Sequence, residues 1–172
     1  QTIRSDGDDI LMYMQLMLQT AVEKGINVTR GLLQDHGKDV ALFEGLRDES
    51  WFDRINAFGA DYGLTVQHFI LSSGLAEMIA GCPIAHRFEH VFASKYVYND
   101  ADEAVWPAVG INYTTKTQYL FRINKGVHNN WEHERINRYV PDEDRPVPFE
   151  RMIFIGDGDT DVFEEMGGAY PG

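Results

Sequence analysis

The sequence predicts an α/β fold, a Rossmann-like parallel sheet with a helical first third set apart from it. Three observations carry this. Residues 1–62 hold only helical patterns. Beyond them, short apolar runs of strand length alternate with helical stretches, the order that builds parallel sheets. Finally, the polar residues of interest each follow a strand or open a helix, where open α/β sheets bind their ligands.

Residues 8–24, DDILMYMQLMLQTAVEK, predict the first helix. Asp8 or Asp9 starts it and Gly25 stops it. Its Met and Leu positions are apolar almost all round, which predicts a largely buried helix. Such a face also suits an adaptable pocket, but core packing is the simpler reading. Thr29 reads as the N-cap of a shorter helix ending near Gly37. Ser50-Trp51-Phe52-Asp53 has the spacing of a capping box and opens a third helix, with Phe52, Ile55 and Phe58 on one side and Gly63 at its end. From Val66 to Leu71 the chain reads as a buried strand, followed by Ser72-Ser73-Gly74 and the helical stretch LAEMIAG. Residues 92–98 and 105–111 read as a hairpin around the polar turn 99–103. Thr114 or Thr115 can cap a helix over 116–124, stopped by Gly126. Residues 128–148 are polar and contain three of the six prolines, as a long surface excursion would. Met152–Ile155 reads as another buried strand. The domains expected are therefore a helical cap region over 1–62 and an α/β core over 63–172.

Composition narrows the function. The balance of 15 Lys and Arg against 27 Asp and Glu gives a net charge of −12. That field repels polyanions, so nucleic acid and anionic membranes are poor partners. An anionic substrate would need a few placed cations and a metal. With Cys82 the only cysteine, no intrachain disulfide can form, and a cytoplasmic setting is expected. No apolar run approaches the ~18 residues of a membrane span.

Three segments carry chemistry. In Met152–Asp161, an apolar run delivers Asp157, Asp159 and Asp161 onto a glycine-flanked turn. Mg2+ takes hard oxygen ligands, and Asp157 and Asp161 are well spaced to share it. The plainer alternative is a turn whose aspartates cap the next helix. A calcium-loop reading fails, because Val162 and Gly168 stand where an EF-hand needs Gly and Glu. In Phe69–Gly74, a serine hydroxyl at a strand end beside helix-start N–H groups forms an anion site. Taken alone this segment is a common turn, and it lacks the Gly-x-Ser-x-Gly of a serine hydrolase. In Tyr113–Thr117, Lys116 stands near a helix start, an end that prefers anions. It gains there only by facing a phosphate or a carboxylate cluster, the alternative being a solvated lysine.

The order of these segments, with SSGLAEMIAG, WPAVGINYTTKTQYLFRINKGV and RYVPDEDRPVPFERMIFIGDGDTDV around them, resembles a bacterial family of haloacid-dehalogenase-like hydrolases. The resemblance runs from about residue 8 to 166, and the first third is similar to the inserted cap near phosphoserine phosphatases. It implies a Mg2+-dependent phosphohydrolase acting on a small phosphorylated metabolite. Ser72, Ser73, Gly74 and Lys116 would bind the phosphate, with Ser72 and Lys116 catalytic. Asp157 would bind Mg2+ and Asp161 would complete or orient its shell.

The resemblance also implies a strand ending in Asp-x-Asp-x-Thr that supplies the nucleophile. Asp6-Gly7-Asp8 has the Asp-x-Asp spacing, but Gln1–Ser5 is no buried strand, so these aspartates are expected to cap the first helix. Segments are expected to be absent ahead of this chain and near residue 163; without them the chain would be catalytically dead, a phosphate-ligand binder or scaffold rather than an enzyme. His128 and His133 around Trp131, with Glu132 and Glu134, are read as a solvated loop, since zinc needs a third rigid ligand. His68 is read as a satisfied or edge histidine within its strand, and Trp106-Pro107 as a packing and turn feature rather than a sugar platform. The substrate and the oligomeric state are left open.

Overall fold

In the computed structural model, residues 7–156 are described. They form a mixed α/β structure with one small three-stranded sheet. The helices α1 (Asp9–Glu23), α2 (Arg30–Lys38) and α3 (Ser50–Asp61) precede strand β1 (Phe69–Leu75) and helix α4 (Ala76–Gly81). Strands β2 (His90–Tyr98) and β3 (Ala104–Val109) follow, then α5 (Tyr113–Asn124) and α6 (His133–Asn137). Contacts divide the chain after Ile111, so α1–α4 and the sheet form one unit and Asn112 onward a second.

The sheet order is β1-β2-β3. β1 pairs parallel with β2, and β2 antiparallel with β3, so the sheet is mixed rather than wholly parallel. The reason is the short connection between β2 and β3. Asn99 Oδ1 accepts from the N–H groups of Ala101 and Glu103, and Asp102 sits at φ 58°, closing a tight hairpin that can only be antiparallel.

Met14, Leu18, Val28, Leu33, Leu75 and Tyr96 form the core of the first unit. The expectation that α1 is buried nearly all round is corrected: only Met14 and Leu18 are buried, while Tyr13 and Leu16 are 55% and 59% exposed. One helix against one small sheet covers a single stripe of its surface. Asp8 caps α1 as expected, its Oδ1 accepting from the Leu11 N–H at 2.9 Å, and Thr29 likewise caps α2.

The capping box at Ser50 does not form. Glu49 is the N-cap, at φ 60° and without a side-chain cap bond. Its carboxylate and that of Asp53 turn instead to Arg87, at 3.0 and 2.6 Å. The guanidinium also lies over the Phe52 ring, so one charge-assisted fork takes the Asp53 carboxylate that a box would have used, together with that of Glu49.

α2 and α4 lie in close contact because each carries glycine where it faces the other. A Cβ on Gly37 would overlap the backbone of Met78, and one on Gly81 that of Gln34. Buried Glu77 then docks α4 on β2, its Oε1 accepting from the Tyr96 N–H at 3.2 Å.

In the second unit, the last turn of α5 holds the polar excursion through carbonyls. Arg122 donates to Asn129 O, Asn124 to Val147 O, and the Lys125 ammonium to both Ile136 O and Arg138 O. The excursion is thus tied at four points, and it contains α6. Met152–Ile155, expected as a buried strand, has no strand pairing among the described residues; Ile153 and Ile155 are 89% and 76% exposed. Apolar side chains alone do not make a strand, which exists only by pairing with a neighbour.

Gly81→Ala is expected to lower the unfolding free energy by about 1–3 kcal/mol, the usual cost of forcing a methyl into a filled contact. Urea denaturation measures this, and a midpoint equal to that of the unsubstituted chain would refute the close approach of α2 and α4.

Candidate functional site

Ser72, Ser73 and Gly74 lie within β1 rather than after it. The ladder runs Phe69↔His90, Ile70↔Val91, Leu71↔Phe92 and Ser72↔Ala93, then shifts to Leu75↔Ser94. The serine turn is therefore a bulge at the carboxyl end of a parallel strand, with α4 starting directly behind it at Ala76. Ser72 Oγ accepts from the Gly74 N–H at 3.0 Å, which leaves its own proton to donate outward. Ser73 Oγ is buried and has no hydrogen-bond partner among the described residues. Gly74 is exposed, and a Cβ there would meet Ser72 Oγ at 3.2 Å, so glycine keeps the backbone open at this point. Gly74 and Leu75 also border a half-open apolar groove of about 330 Å3, walled further by Val40, Met78, Ile79 and Phe88.

α5 begins three residues earlier than the threonines suggest. Asn112 is the N-cap and forms a capping box with Thr115, whose N–H donates to Asn112 Oδ1 at 2.9 Å while its Oγ1 accepts from the Asn112 N–H. An Asn takes the role that a Thr was expected to fill, since both can accept there. Lys116 falls in the first full turn of α5. The solvated alternative does not hold: Lys116 is 2% exposed. Burying an ammonium at the positive end of a helix is costly unless negative charge is held close to it.

Ser72, Ser73 and Gly74 belong to the first unit and Lys116 to the second. Asp157 and Asp161 lie outside the described residues. Among the described residues no group of three or more His, Cys, Asp or Glu is placed to hold a metal ion. The donors predicted for Mg2+ are two carboxylates, hard oxygen ligands of the kind it takes.

Other residues settle into structural roles. Glu132, in the histidine-bearing loop, is held by Arg135 at 2.6 Å, which keeps its carboxyl below the usual range. Trp131 is 74% exposed. Pro107 is buried where β3 pairs with Tyr96 of β2, and Trp106 faces outward. No described helix is long and apolar enough to cross a membrane. Sequence reasoning passed over Ser94, which is fully buried on the central strand. The only signal was a lone serine inside an apolar strand run.

No family model and no solved structure matches the chain. A curated protein of Borreliella burgdorferi, described only as an uncharacterized protein, is similar to it. The two are 31% identical over 143 residues, covering 73% of this chain and 48% of the relative. The chain thus spans about half the length of that relative.

His68 hydrogen-bonds Asn56 Oδ1 at 2.8 Å and lies against the rings of Trp51 and Phe52. Burial, with the Arg87 charge second, holds its pKa below the ordinary value. The unfolded chain therefore takes up the proton first, so this contribution is complete above about pH 6.5 and is lost as the pH falls below it. The urea midpoint is expected to drop between pH 7.5 and 5.5, and His68→Phe to flatten that drop. An equal slope in both chains would refute it.

Proposed function

We propose that this chain is the phosphate-binding part of a Mg2+-dependent phosphohydrolase of the haloacid dehalogenase type, with a Rossmann-like core and a helical cap. It would act on a small phosphomonoester. The observation that carries the reading is Lys116, an ammonium buried in the first turn of α5, the end of a helix where anions bind. Supporting it is the serine turn, which stands at the carboxyl end of a parallel strand and keeps the Ser72 proton to donate.

In this reading an Asp from outside the present chain attacks phosphorus through a carboxylate oxygen. The bond to the leaving alcohol oxygen breaks, that oxygen takes a proton from the second carboxyl of the same Asp-x-Asp segment, and water then cleaves the aspartyl phosphate to inorganic phosphate and the free Asp. Ser72 donates to a phosphoryl oxygen, and the Lys116 ammonium offsets the charge that nucleophile and phosphate bring together. Mg2+, held by Asp157 and Asp161, would supply Lewis-acid stabilisation of the phosphoryl group. The acidic pair suits phosphoryl transfer and has no evident use in displacing a halide.

A second reading, a phosphate-ligand binder without catalysis, draws on Asp8. Its carboxylate is engaged as the N-cap of α1, so Asp8 serves a helix start; Asp6 lies outside the described residues.

Titrating the chain with inorganic phosphate and Mg2+ tests the site. Lys116→Ala is expected to weaken phosphate binding at least about tenfold, and Asp157→Asn to remove its Mg2+ dependence. Phosphate binding indifferent to both substitutions would sink the assignment. Mg2+-dependent hydrolysis of 4-nitrophenyl phosphate by a longer polypeptide carrying the chain separates enzyme from binder. An aryl ester suits the apolar groove beside Gly74.

A further inference from the structure

β2 is the central strand, and both of its ladders break at the same place. On one side the pairing with β1 slips between Ser72↔Ala93 and Leu75↔Ser94, so Ser73 and Gly74 have no partner residue across the ladder. On the other, the pairing with β3 ends at Lys95↔Val109, which leaves Ile111 beyond it. A backbone carbonyl on the first side and a backbone N–H on the second are thereby left without strand partners, in a region where water is excluded.

One side chain takes both. Ser94 is 0% exposed. Its hydroxyl donates to Ser73 O at 3.0 Å and its oxygen accepts from the Ile111 N–H at 3.0 Å. A serine can do this because one hydroxyl carries one proton and two lone pairs, so donation to one strand and acceptance from the other coexist. No apolar residue of that size could, and a thiol would do it weakly.

The two backbone points belong to segments that are distant in sequence. Ser73 is the middle residue of the serine turn. Ile111 directly precedes Asn112, the N-cap of the helix that carries Lys116. We infer that Ser94 is a positioning residue for the serine turn: its hydroxyl ties the Ser73 carbonyl to the Ile111 N–H, so that the turn and the end of the first unit are held from one point on β2. Ser94 itself touches no substrate. It acts through the backbone of its two neighbours. The phosphate-binding consequence rests on the function proposed above; the coupling of the two segments does not.

The test has two arms, on the full chain with Ser94→Ala, Ser94→Cys and Ser94→Thr. In amide hydrogen exchange, Ser94→Ala is expected to speed exchange at Ser73–Gly74 and at Ile111–Asn112 together, with Ser94→Thr restoring both. If the alanine chain does not fold, the cysteine chain, close in size, carries the comparison. Loss of protection in one segment alone, or in neither, overturns the coupling.

In the second arm, Ser94→Ala is expected to weaken inorganic phosphate binding about three- to tenfold, the scale of one net hydrogen bond, with recovery in Ser94→Thr. A purely structural serine would lower the melting temperature and leave the phosphate Kd of the folded chain unchanged, which also overturns the positioning role. If the unsubstituted chain binds no phosphate, the functional reading fails, while joint exchange at the two segments still decides the coupling.

Discussion

The structure of the first unit depends on one constraint: every backbone group along β2 and the segments beside it must find a partner, although the two neighbouring strands approach β2 in opposite senses. β1 comes in parallel and β3 antiparallel, so the two ladders have different hydrogen-bond spacing and cannot stay in step along the whole strand. Where they fall out of step, side chains supply what the backbone cannot. Ser94 does so at one point and Glu77, accepting from the Tyr96 N–H, at the next. Both are polar residues in a buried setting, and both are satisfied there on at least one atom.

That constraint also shapes the candidate site. The bulge in β1 withdraws Ser73 and Gly74 from the ladder and turns Ser72 Oγ onto the Gly74 N–H. A regular strand would have sent alternate serines to opposite faces and tied their N–H groups to β2. The irregularity is what frees a hydroxyl proton and an exposed glycine beside it. In the second unit the same logic runs through α5, whose first turn is closed by the Asn112–Thr115 box and whose last carbonyls accept from the backbone N–H groups of Lys125, Gly126 and Val127. Lys116 sits between these closed ends, buried.

Much of this was legible beforehand, element by element. Asp8, Thr29, Gly25 and Gly63 mark helix ends by local chemistry that needs nothing from the rest of the chain, and they stand where the pattern puts them. The hairpin turn at Asn99 is equally local. What failed to follow were features whose partners are distant in sequence. Ser50-x-x-Asp53 has the letters of a capping box, but Arg87 outcompetes the local bond. Met152–Ile155 has the letters of a strand and no strand partner among the described residues. α1 is apolar almost all round, yet the sheet covers only the stripe of Met14 and Leu18.

By itself, then, the sequence determined the kinds of element and many of their ends, because caps, turns and apolar periodicity act over a few residues. It also set the acidic balance of 15 Lys and Arg against 27 Asp and Glu. The tertiary structure decided the bulge at Ser72–Leu75, the burial of Lys116 and the role of Ser94. Each of these depends on which distant segments pack together, and that is a property of the packed chain that no local pattern contains.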